Sequence, residues 1–449
     1  MRSKIVIEKP YVEYVHKSKI YADAARLCAN ITMLNPNNKK TERKVLYFEI
    51  DSAFADGLTV NRSDAFVMGL LTTAMENDMD IQFETPMSEK LYFQMVNQFI
   101  PIVTENNPSW ISPIKLNGPL ISERIENTGG VATGCSGGVD SFYTIVKHGI
   151  REKIKNYKLT HLLFASVGTL DDDNGRITSY FKNTLKRMEH IAEETDTKAV
   201  GVYSNLHEFY KFPYKGFSMF YATTYGACAY ALQKILRVYY ISAGYPISEF
   251  TLNVNKVKEY DASVFDVFTV GCMDTESLSF YVTGIEATRI DRINYIAKDK
   301  TAQKYLTTCS IELEGSEKRQ NYINCGHCHK CLPALVHLYA GNNLDKFKNV
   351  FDIEEFKRKK GKNIGKMMAI TNTSYRRQAI TIAKEKKVKI PVTAYLWYWG
   401  FYKPFFGLMH LLKNNRLVRD VYYRLNLDIK IHGYRNAKYD AFNKKLKSK

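Results

Sequence analysis

A short glycine-containing segment, SGGVDS, has the composition of a loop that binds phosphate. Such a loop needs inward-pointing backbone N–H groups without bulky side chains, and two adjacent glycines meet both needs. Its serine hydroxyls can donate to phosphate oxygens, and a carboxylate beside phosphate needs a cation between them, so Asp140 is the expected contact for Mg²⁺. The GxxxxGK[ST] pattern of a Walker A loop is missing. The candidate binding residues are Ser136, Gly137, Gly138, Val139, Asp140 and Ser141.

Four of the eight cysteines have the spacing of metal ligands. The N-terminus lacks the apolar core and cleavage site of a signal peptide, so we expect a cytoplasmic protein whose cysteines serve metal binding or catalysis before disulfides. Four thiolates around a tetrahedral Zn²⁺ form a closed, structural site. An iron–sulfur cluster is the alternative, and His327 and His329 are reserve ligands. The candidate ligands are Cys309, Cys325, Cys328 and Cys331.

Two further segments carry side chains that could contact a substrate. YISAGYPISEF follows a predicted strand, and EATRIDRI places Arg289 and Arg292 at a predicted helix start. A guanidinium there suits a carboxylate or phosphate, and Arg289 could neutralise charge that develops on phosphate during a reaction. Surface salt bridges explain both arginines equally well. The candidates in the first segment are Ser242, Tyr245 and Glu249.

The chain around the glycine loop alternates between strands and helices. Short apolar runs predict buried strands, and helical periodicity separates them. This pattern predicts a mostly parallel, doubly wound α/β sheet built from right-handed βαβ units and covered on both faces. Ligands bind at the carboxyl ends of such strands, where the glycine loop falls. The predicted strands are 131–134, 161–167, 199–203 and 238–243, and predicted helices follow the loop and cover 176–195 and 218–236.

The composition suggests three segments. Residues 1–125 read as an N-terminal α+β unit, with a strand at 45–51 and helices that begin after Ser63 and Ser88. The other two segments are an α/β domain with the zinc knuckle at 126–350 and a basic, mostly helical extension at 351–449.

The last hundred residues carry nearly all of the net charge. Residues 351–449 contain 24 Lys and Arg against 7 Asp and Glu, a net +17 of the chain's +18. This surface could contact nucleic acid, an acidic protein or an anionic membrane surface, or be a solvated face. The basic stretch 357–366 is expected to be a linker or exposed loop. The aromatic stretch 394–412 is about as long as a membrane span, but Lys403 and Pro404 at its middle argue against one.

The glycine segment, placed between a strand and a helix, resembles the signature SGGxDS of the PP-loop (N-type) ATP pyrophosphatase superfamily. This resemblance implies ATP and Mg²⁺ as cofactors, formation of an adenylate with release of pyrophosphate, and catalytic roles for Ser136 and Asp140. It also implies that backbone groups near Ala165 and Val167 hold adenine. Cys135 precedes the loop, where a thiol could be a nucleophile, but the crowded turn explains a small residue better.

A PP-loop domain that ends in Cys…CGxCxxC resembles the 7-cyano-7-deazaguanine synthase (QueC) family, in which four such cysteines bind zinc. The resemblance covers about residues 128–345 and implies an ATP-dependent ligase. Such an enzyme adenylates a carboxylate, uses ammonia or an amine to form an amide, and can dehydrate the amide to a nitrile. The chain departs from this family by its long N- and C-terminal additions, which leave the identity of the carboxylate open.

Two alternatives belong to other functional classes. A PP-loop tRNA thiolase would use some cysteines for sulfur transfer or for an iron–sulfur cluster. A nucleotide-binding regulator without turnover would act through its basic tail instead.

Overall fold

The computed structural model describes residues 2–35, 40–167, 176–210, 221–256, 261–309, 322–328, 330–369, 381 and 388–414. By its internal contacts the chain divides into two compact units, residues 1–286 and 287–449. The predicted boundaries after residues 125 and 350 are not tested by this division and stay predictions.

The first unit is an α/β structure with a large, mostly parallel central sheet. Eleven strands of the described part form this sheet, in the order β13-β12-β9-β10-β11-β4-β3-β1-β5-β7 with β2 paired to β3, and β6 and β8 form a separate parallel pair. The strands are β1 (Lys4–Ile7), β2 (Tyr11–His16), β3 (Asp23–Asn35), β4 (Lys40–Asp51), β5 (Asp80–Phe83), β6 (Met87–Ser88), β7 (Leu116–Asn117), β8 (Leu120–Ile121), β9 (Gly130–Gly134), β10 (His161–Ser166), β11 (Lys198–Ser204), β12 (Leu236–Ser242) and β13 (Ser279–Thr283).

Seven α-helices are described in the first unit. Two of them continue through π-helical stretches, since Met95–Phe99 joins α2 to α3 and Ile145–Ile150 extends α4. The helices are α1 (Asp64–Asn77), α2 (Glu89–Gln94), α3 (Ile100–Asn106), α4 (Val139–Thr144), α5 (Arg176–Thr195), α6 (Tyr221–Tyr230) and α7 (Asp266–Gly271).

The order in which the chain adds parallel strands to the sheet reverses at β9. The chain runs from β9 outward through β10 to β11, then returns to place β12 and β13 on the other side of β9, and all these neighbours pair in parallel. In such open sheets, ligands bind outside the carboxyl ends of the strands at the point where the order reverses. The predicted strands correspond to β9–β12. The helix predicted for 176–195 is α5.

Helices cover both faces of this region. The ring of Tyr240 in β12 stacks on His148 in the extension of α4, with 4.0 Å between centroids. The adjacent Tyr239 contacts Phe280 of β13, which in turn contacts Tyr230 of α6 at 5.0 Å. Because successive strand residues point to opposite faces, α4 and α6 lie on opposite sides of the sheet. The prediction of a helix to residue 236 was too long, because Leu236 already begins β12.

The N-terminal strands extend the same sheet. β4 pairs antiparallel with β11 through Tyr203 and Glu49, and β3, β1, β5 and β7 continue outward from β4. The predicted strand at 45–51 lies within β4. Ser63 precedes α1 as predicted, although its hydroxyl donates to the Thr85 carbonyl at 2.6 Å instead of capping the helix.

The described part of the second unit is helical. Its helices are α8 (Arg289–Ile296), α9 (Lys300–Tyr305), α10 (Cys331–Ala340), α11 (Ile353–Arg358), α12 (Lys360–Ala369), α13 (Val392–Trp397) and α14 (Lys403–Asn414), with a π-helical stretch, Tyr398–Tyr402, between the last two.

The expectation of a linker or exposed loop at 357–366 is wrong. This stretch lies in α11 and α12, and Ile364 and Met367 of α12 are buried. Gly365 permits close helix packing, because a Cβ there would lie 2.6 Å from the Ala394 carbonyl oxygen in α13. Among the described helices, none has the length and apolar character needed to cross a membrane.

Candidate nucleotide loop and metal centre

The glycine loop connects β9 to α4 at the point where the strand order reverses. The N–H of Cys135 still donates to the Leu163 carbonyl of β10 at 2.8 Å, so the loop starts directly at the edge of the sheet. Gly137 has φ of +73°, a conformation that side chains disfavour. Gly138 is extended, with φ −79° and ψ 176°, and it caps the N-terminus of α4. The backbone therefore requires glycine at 137 but not at 138.

The two serine hydroxyls of the loop lie on the same side. Ser141 donates its hydroxyl to the Gly138 carbonyl at 3.1 Å, and its Oγ is 3.4 Å from the Oγ of exposed Ser136. The Gly138 N–H also lies 3.4 Å from Ser136 Oγ. Two hydroxyls thus converge on the N-terminal end of a helix, an arrangement that suits an anion.

Three carboxyl groups act electrostatically on Tyr221, and one of them is Asp140 of the loop. Burial raises the pKa of Tyr221, at the start of α6, well above its ordinary value, and the charges of Asp266, Asp140 and Asp261 raise it further. Burial and the charge of Asp261 also raise the pKa of Asp266 well above its usual range. A cation beside Asp140 would offset the negative charge of that carboxylate. Sequence reasoning did not single out Asp261 and Asp266, because no local pattern connects them to Tyr221, about forty residues earlier.

Cys135 is buried directly before the loop, and burial raises the pKa of its thiol to about 12. The N–H of Gly137 and the charge of Arg187 lower this pKa only in part. Since the thiolate is the nucleophilic form, Cys135 is poorly suited to attack a substrate at neutral pH. These observations agree with the interpretation of Cys135 as a small residue that packs in a crowded turn.

Of the three substrate-contact candidates at and after the end of β12, one contacts the helix after the loop. Ser242 Oγ lies 2.7 Å from the Thr144 hydroxyl of α4. Tyr245 donates to Asp261 at 3.4 Å, which places it with the carboxyl group near Tyr221. Glu249 lies in a short 3₁₀ turn, Ile247–Glu249, and its N–H donates to the Pro246 carbonyl at 2.9 Å.

The remaining predicted residues have known positions but untested roles. Ala165 lies in β10, Val167 directly follows that strand, and both are buried beside the strand that leads into the loop. Arg289 is the first residue of α8, as expected, and Arg292 is buried within that helix. The roles of these residues in holding adenine or phosphate stay predictions.

The second unit brings together the four predicted metal ligands. The sulfur atoms of the four cysteines all lie within 4.8 Å of one another, and three of the side chains are buried. A tetrahedral Zn²⁺ with Zn–S bonds of ~2.3 Å needs sulfurs about 3.8 Å apart. The cluster of Cys309, Cys325, Cys328 and Cys331 could therefore hold a metal ion such as zinc.

The backbone of the CxxCxxC segment turns its N–H groups toward the sulfurs. The N–H of Cys328 donates to Cys325 Sγ at 3.4 Å, and that of Cys331 donates to Cys328 Sγ at 3.3 Å. Gly326 adopts φ of +74°, which allows the sharp turn. His327 is exposed and its ring contacts the Cys325 carbonyl at 2.8 Å, while His329 lies outside the described residues.

Asn324 holds the backbone of Cys309, the ligand outside the CxxCxxC segment. Sequence reasoning did not identify this residue. Its buried side-chain oxygen accepts from the N–H groups of Thr308 at 2.7 Å and Cys309 at 3.1 Å. Its amide donates to the carbonyls of Leu306 at 2.8 Å and Val350 at 3.0 Å. The residue thus ties three separate chain segments together at the metal centre. Its position next to a ligand was the only signal in the sequence.

These features define the class of protein coarsely. The chain has an α/β unit with a large, mostly parallel sheet, a glycine loop at the reversal of strand order and a four-cysteine cluster that could bind metal. Its sequence matches no protein-family model, and neither a curated protein nor a solved structure matches it.

Proposed function

We propose that the protein is an ATP pyrophosphatase of the PP-loop type that activates a carboxylate as its adenylate and then forms a carbon–nitrogen bond. The observation that carries this proposal is the SGGVDS loop between β9 and α4, at the reversal of strand order. That position is where open α/β sheets bind ligands, and the motif resembles the superfamily's signature.

The loop offers the groups that ATP cleavage between the α and β phosphates requires. Backbone N–H groups at the start of α4 and the hydroxyls of Ser136 and Ser141 would bind the pyrophosphate portion. Asp140, half-buried in the first turn of α4, would hold Mg²⁺, and the ion would supply positive charge for the departing pyrophosphate. A carboxylate oxygen of the substrate attacks the α-phosphorus, and the bond to the β-phosphate oxygen breaks.

In the second step, ammonia or an amine attacks the acyl carbon, the bond between that carbon and the AMP oxygen breaks, AMP leaves with the bonding electrons, and the nitrogen releases a proton to solvent. The product is an amide, and activation of the amide oxygen by a second ATP would allow dehydration to a nitrile. Neither step needs a side-chain nucleophile. The chemistry therefore agrees with the raised pKa of the Cys135 thiol, about 12, which makes this residue a poor nucleophile.

The metal centre supports the ligase over the thiolase alternative. An iron–sulfur cluster places several irons and bridging sulfides between its thiolates, so it needs wider sulfur separations than a single ion. The four cysteine sulfurs lie at most 4.8 Å apart, and these short separations favour a single ion such as Zn²⁺. A closed four-sulfur site stabilises the fold of the second unit and leaves no position for water.

The test is product analysis with ATP, Mg²⁺, ammonia and a panel of carboxylates. The expected products are AMP and pyrophosphate, and mass spectrometry then identifies the amide or nitrile. Asp140→Asn and Ser136→Ala should each lower the rate by about 10²–10³-fold, because the first removes the proposed contact to Mg²⁺ and the second a hydroxyl that would donate to phosphate in the transition state.

The matched control is Asp196→Asn. Asp196 precedes β11, at the amino ends of the parallel strands, whereas the loop lies at their carboxyl ends. Its φ of 51° suits asparagine. This variant should keep the wild-type rate. Release of ADP by the wild type, or full activity in Asp140→Asn, would show that the assignment is wrong. ATP binding without turnover of any carboxylate would favour the regulator.

A further inference from the structure

The second unit concentrates exposed hydrophobic side chains on one helical segment. Among the residues that the structure describes, seventeen large hydrophobic side chains are exposed, and seven of them lie within 392–408. We call the helical segment 392–414, formed by α13, the π-helical stretch and α14, the aromatic helix. The exposed side chains are Val392, Tyr395, Leu396, Trp397, Trp399, Phe401 and Leu408.

Little of the aromatic helix is used for packing. Only Ala394 and Tyr402 are buried among the residues 392–408, for which exposure is described. Ala394 lies against Gly365 of α12, so this narrow side attaches the helix to its own unit. Apolar surface of this extent normally marks an interaction site.

Basic side chains lie over the same surface. Lys403 places its Nζ 3.8 Å from the centre of the Trp399 ring, and Lys362 of α12 lies 5.3 Å from the Trp397 ring. The surface therefore combines apolar side chains with positive charge, within a segment that holds a net +17 over residues 351–449.

We propose that the aromatic helix binds an anionic membrane surface and lies in the plane of its interface. Tryptophan and tyrosine favour the headgroup region, and lysine stems can extend from there to lipid phosphates. Anionic lipids attract basic segments of this kind. The segment of 23 residues is about 35 Å long, and its polar and basic residues are interspersed with the apolar ones, as in helices that lie in the interface plane.

The exposed aliphatic side chains of the aromatic helix favour lipid over nucleic acid. Val392 is 75% exposed, Leu396 66% and Leu408 55%. Single-stranded nucleic acid gains affinity from bases that stack on aromatic rings, and an aliphatic side chain offers no such stacking. Insertion into the acyl boundary, in contrast, buries aliphatic and aromatic side chains alike.

The test uses the full-length protein and two kinds of vesicle, phosphatidylcholine alone and phosphatidylcholine mixed with phosphatidylserine. We expect co-sedimentation with the mixed vesicles that weakens as salt rises. The double variant Leu396→Ala, Trp399→Ala should weaken binding by about tenfold or more, because it removes apolar side chains that would insert. The matched control Phe93→Ala, at a side chain 58% exposed in the first unit, should bind as the wild type does.

Each other outcome overturns the proposal. One such outcome is failure of the wild type to bind mixed vesicles, and another is equal binding by the double variant. Binding of single-stranded RNA in preference to vesicles, lost in Trp399→Ala but kept in Leu396→Ala, would identify a nucleic-acid surface instead. The metal content of each variant, compared with the wild type, reports that the second unit is folded. ATP cleavage is measured separately, so failure here leaves the proposed chemistry untouched.

Discussion

The adjacent loop residues Gly137 and Gly138 are identical in sequence, but their backbone conformations differ. Gly137 has φ of +73°, whereas Gly138 is extended at φ −79° and ψ 176°. A side chain in the left-handed region costs about 1–2 kcal/mol, and the extended region costs nothing of this kind. Gly137 therefore shapes the turn, whereas the backbone at 138 accepts any residue.

This difference predicts how alanine acts at each position. Gly137→Ala should lower the free energy of unfolding by about 1–2 kcal/mol, because it forces a strained φ. Gly138→Ala should leave stability near the wild-type value, yet lower ATP turnover if phosphate approaches the backbone there. Urea unfolding and AMP release measure the two effects separately. Equal stability losses in both variants would contradict the role given to Gly137.

At the scale of elements, the metal centre depends on a residue that is not a ligand. Asn324 holds the backbone of Cys309 and the carbonyl of Val350 at the same time. The CxxCxxC turn is local and forms from its own N–H···S bonds, but Cys309 comes from a distant segment. Outer contacts that orient ligands commonly contribute a factor of 10–100 in metal affinity.

We therefore expect about one zinc per chain and an affinity that depends on Asn324. Asn324→Ala should weaken zinc binding by about 10–100-fold in competition with a chelator, because Cys309 loses its backbone support. Cys328→Ser should lose the metal. His327→Ala is the matched control and should bind zinc normally, since the imidazole is exposed and contacts a carbonyl. Stoichiometric iron, or unchanged affinity in Asn324→Ala, would contradict this account.

Elements were predictable where their signal is local. The apolar runs that became β9–β12 and the periodic segment that became α5 were identified because their patterns arise within a few residues. The basic stretch 357–366 was misread, because lysine and glycine suggest a loop when the packing partner is unknown. Its Gly365 is needed for contact with Ala394, about thirty residues later.

At the scale of the whole molecule, two buried groups give its stability opposite dependences on pH. Burial, with a smaller effect from Lys198, lowers the pKa of His161 to about 4. Its unfolded pKa is ~6.5, so the unfolded chain binds the proton first, and stability falls as pH drops from about 6.5 to about 4. Burial raises the pKa of Asp64 to about 6, so this group favours the folded state as pH falls from about 6 to about 4.

Variants should separate the two contributions. His161→Gln should lose less stability than the wild type between pH 6.5 and 4, by at most about 3 kcal/mol, since the titrating ring is gone. Asp64→Asn should lose more than the wild type over the same window. Urea unfolding at several pH values measures both slopes. A His161→Gln slope equal to that of the wild type would show that His161 titrates normally in the folded protein.

The sequence by itself determined the chemistry-bearing motifs and the elements next to them. The glycine loop and the three closely spaced cysteines were readable because their function depends on residues only a few positions apart. Backbone freedom at Gly137 and the turn at Gly326 follow from glycine's lack of a Cβ, which is a property of the residue itself.

Only the tertiary structure decided which distant segments meet. It joined the N-terminal strands to the same sheet through β4 and β11, brought Asp140, Asp261 and Asp266 within electrostatic reach of Tyr221, and brought Cys309 to its three partners by way of Asn324. Each of these contacts joins segments separated by fifteen to more than a hundred residues. Such contacts depend on the packing free energy of the whole unit, and no local pattern of residue types records it.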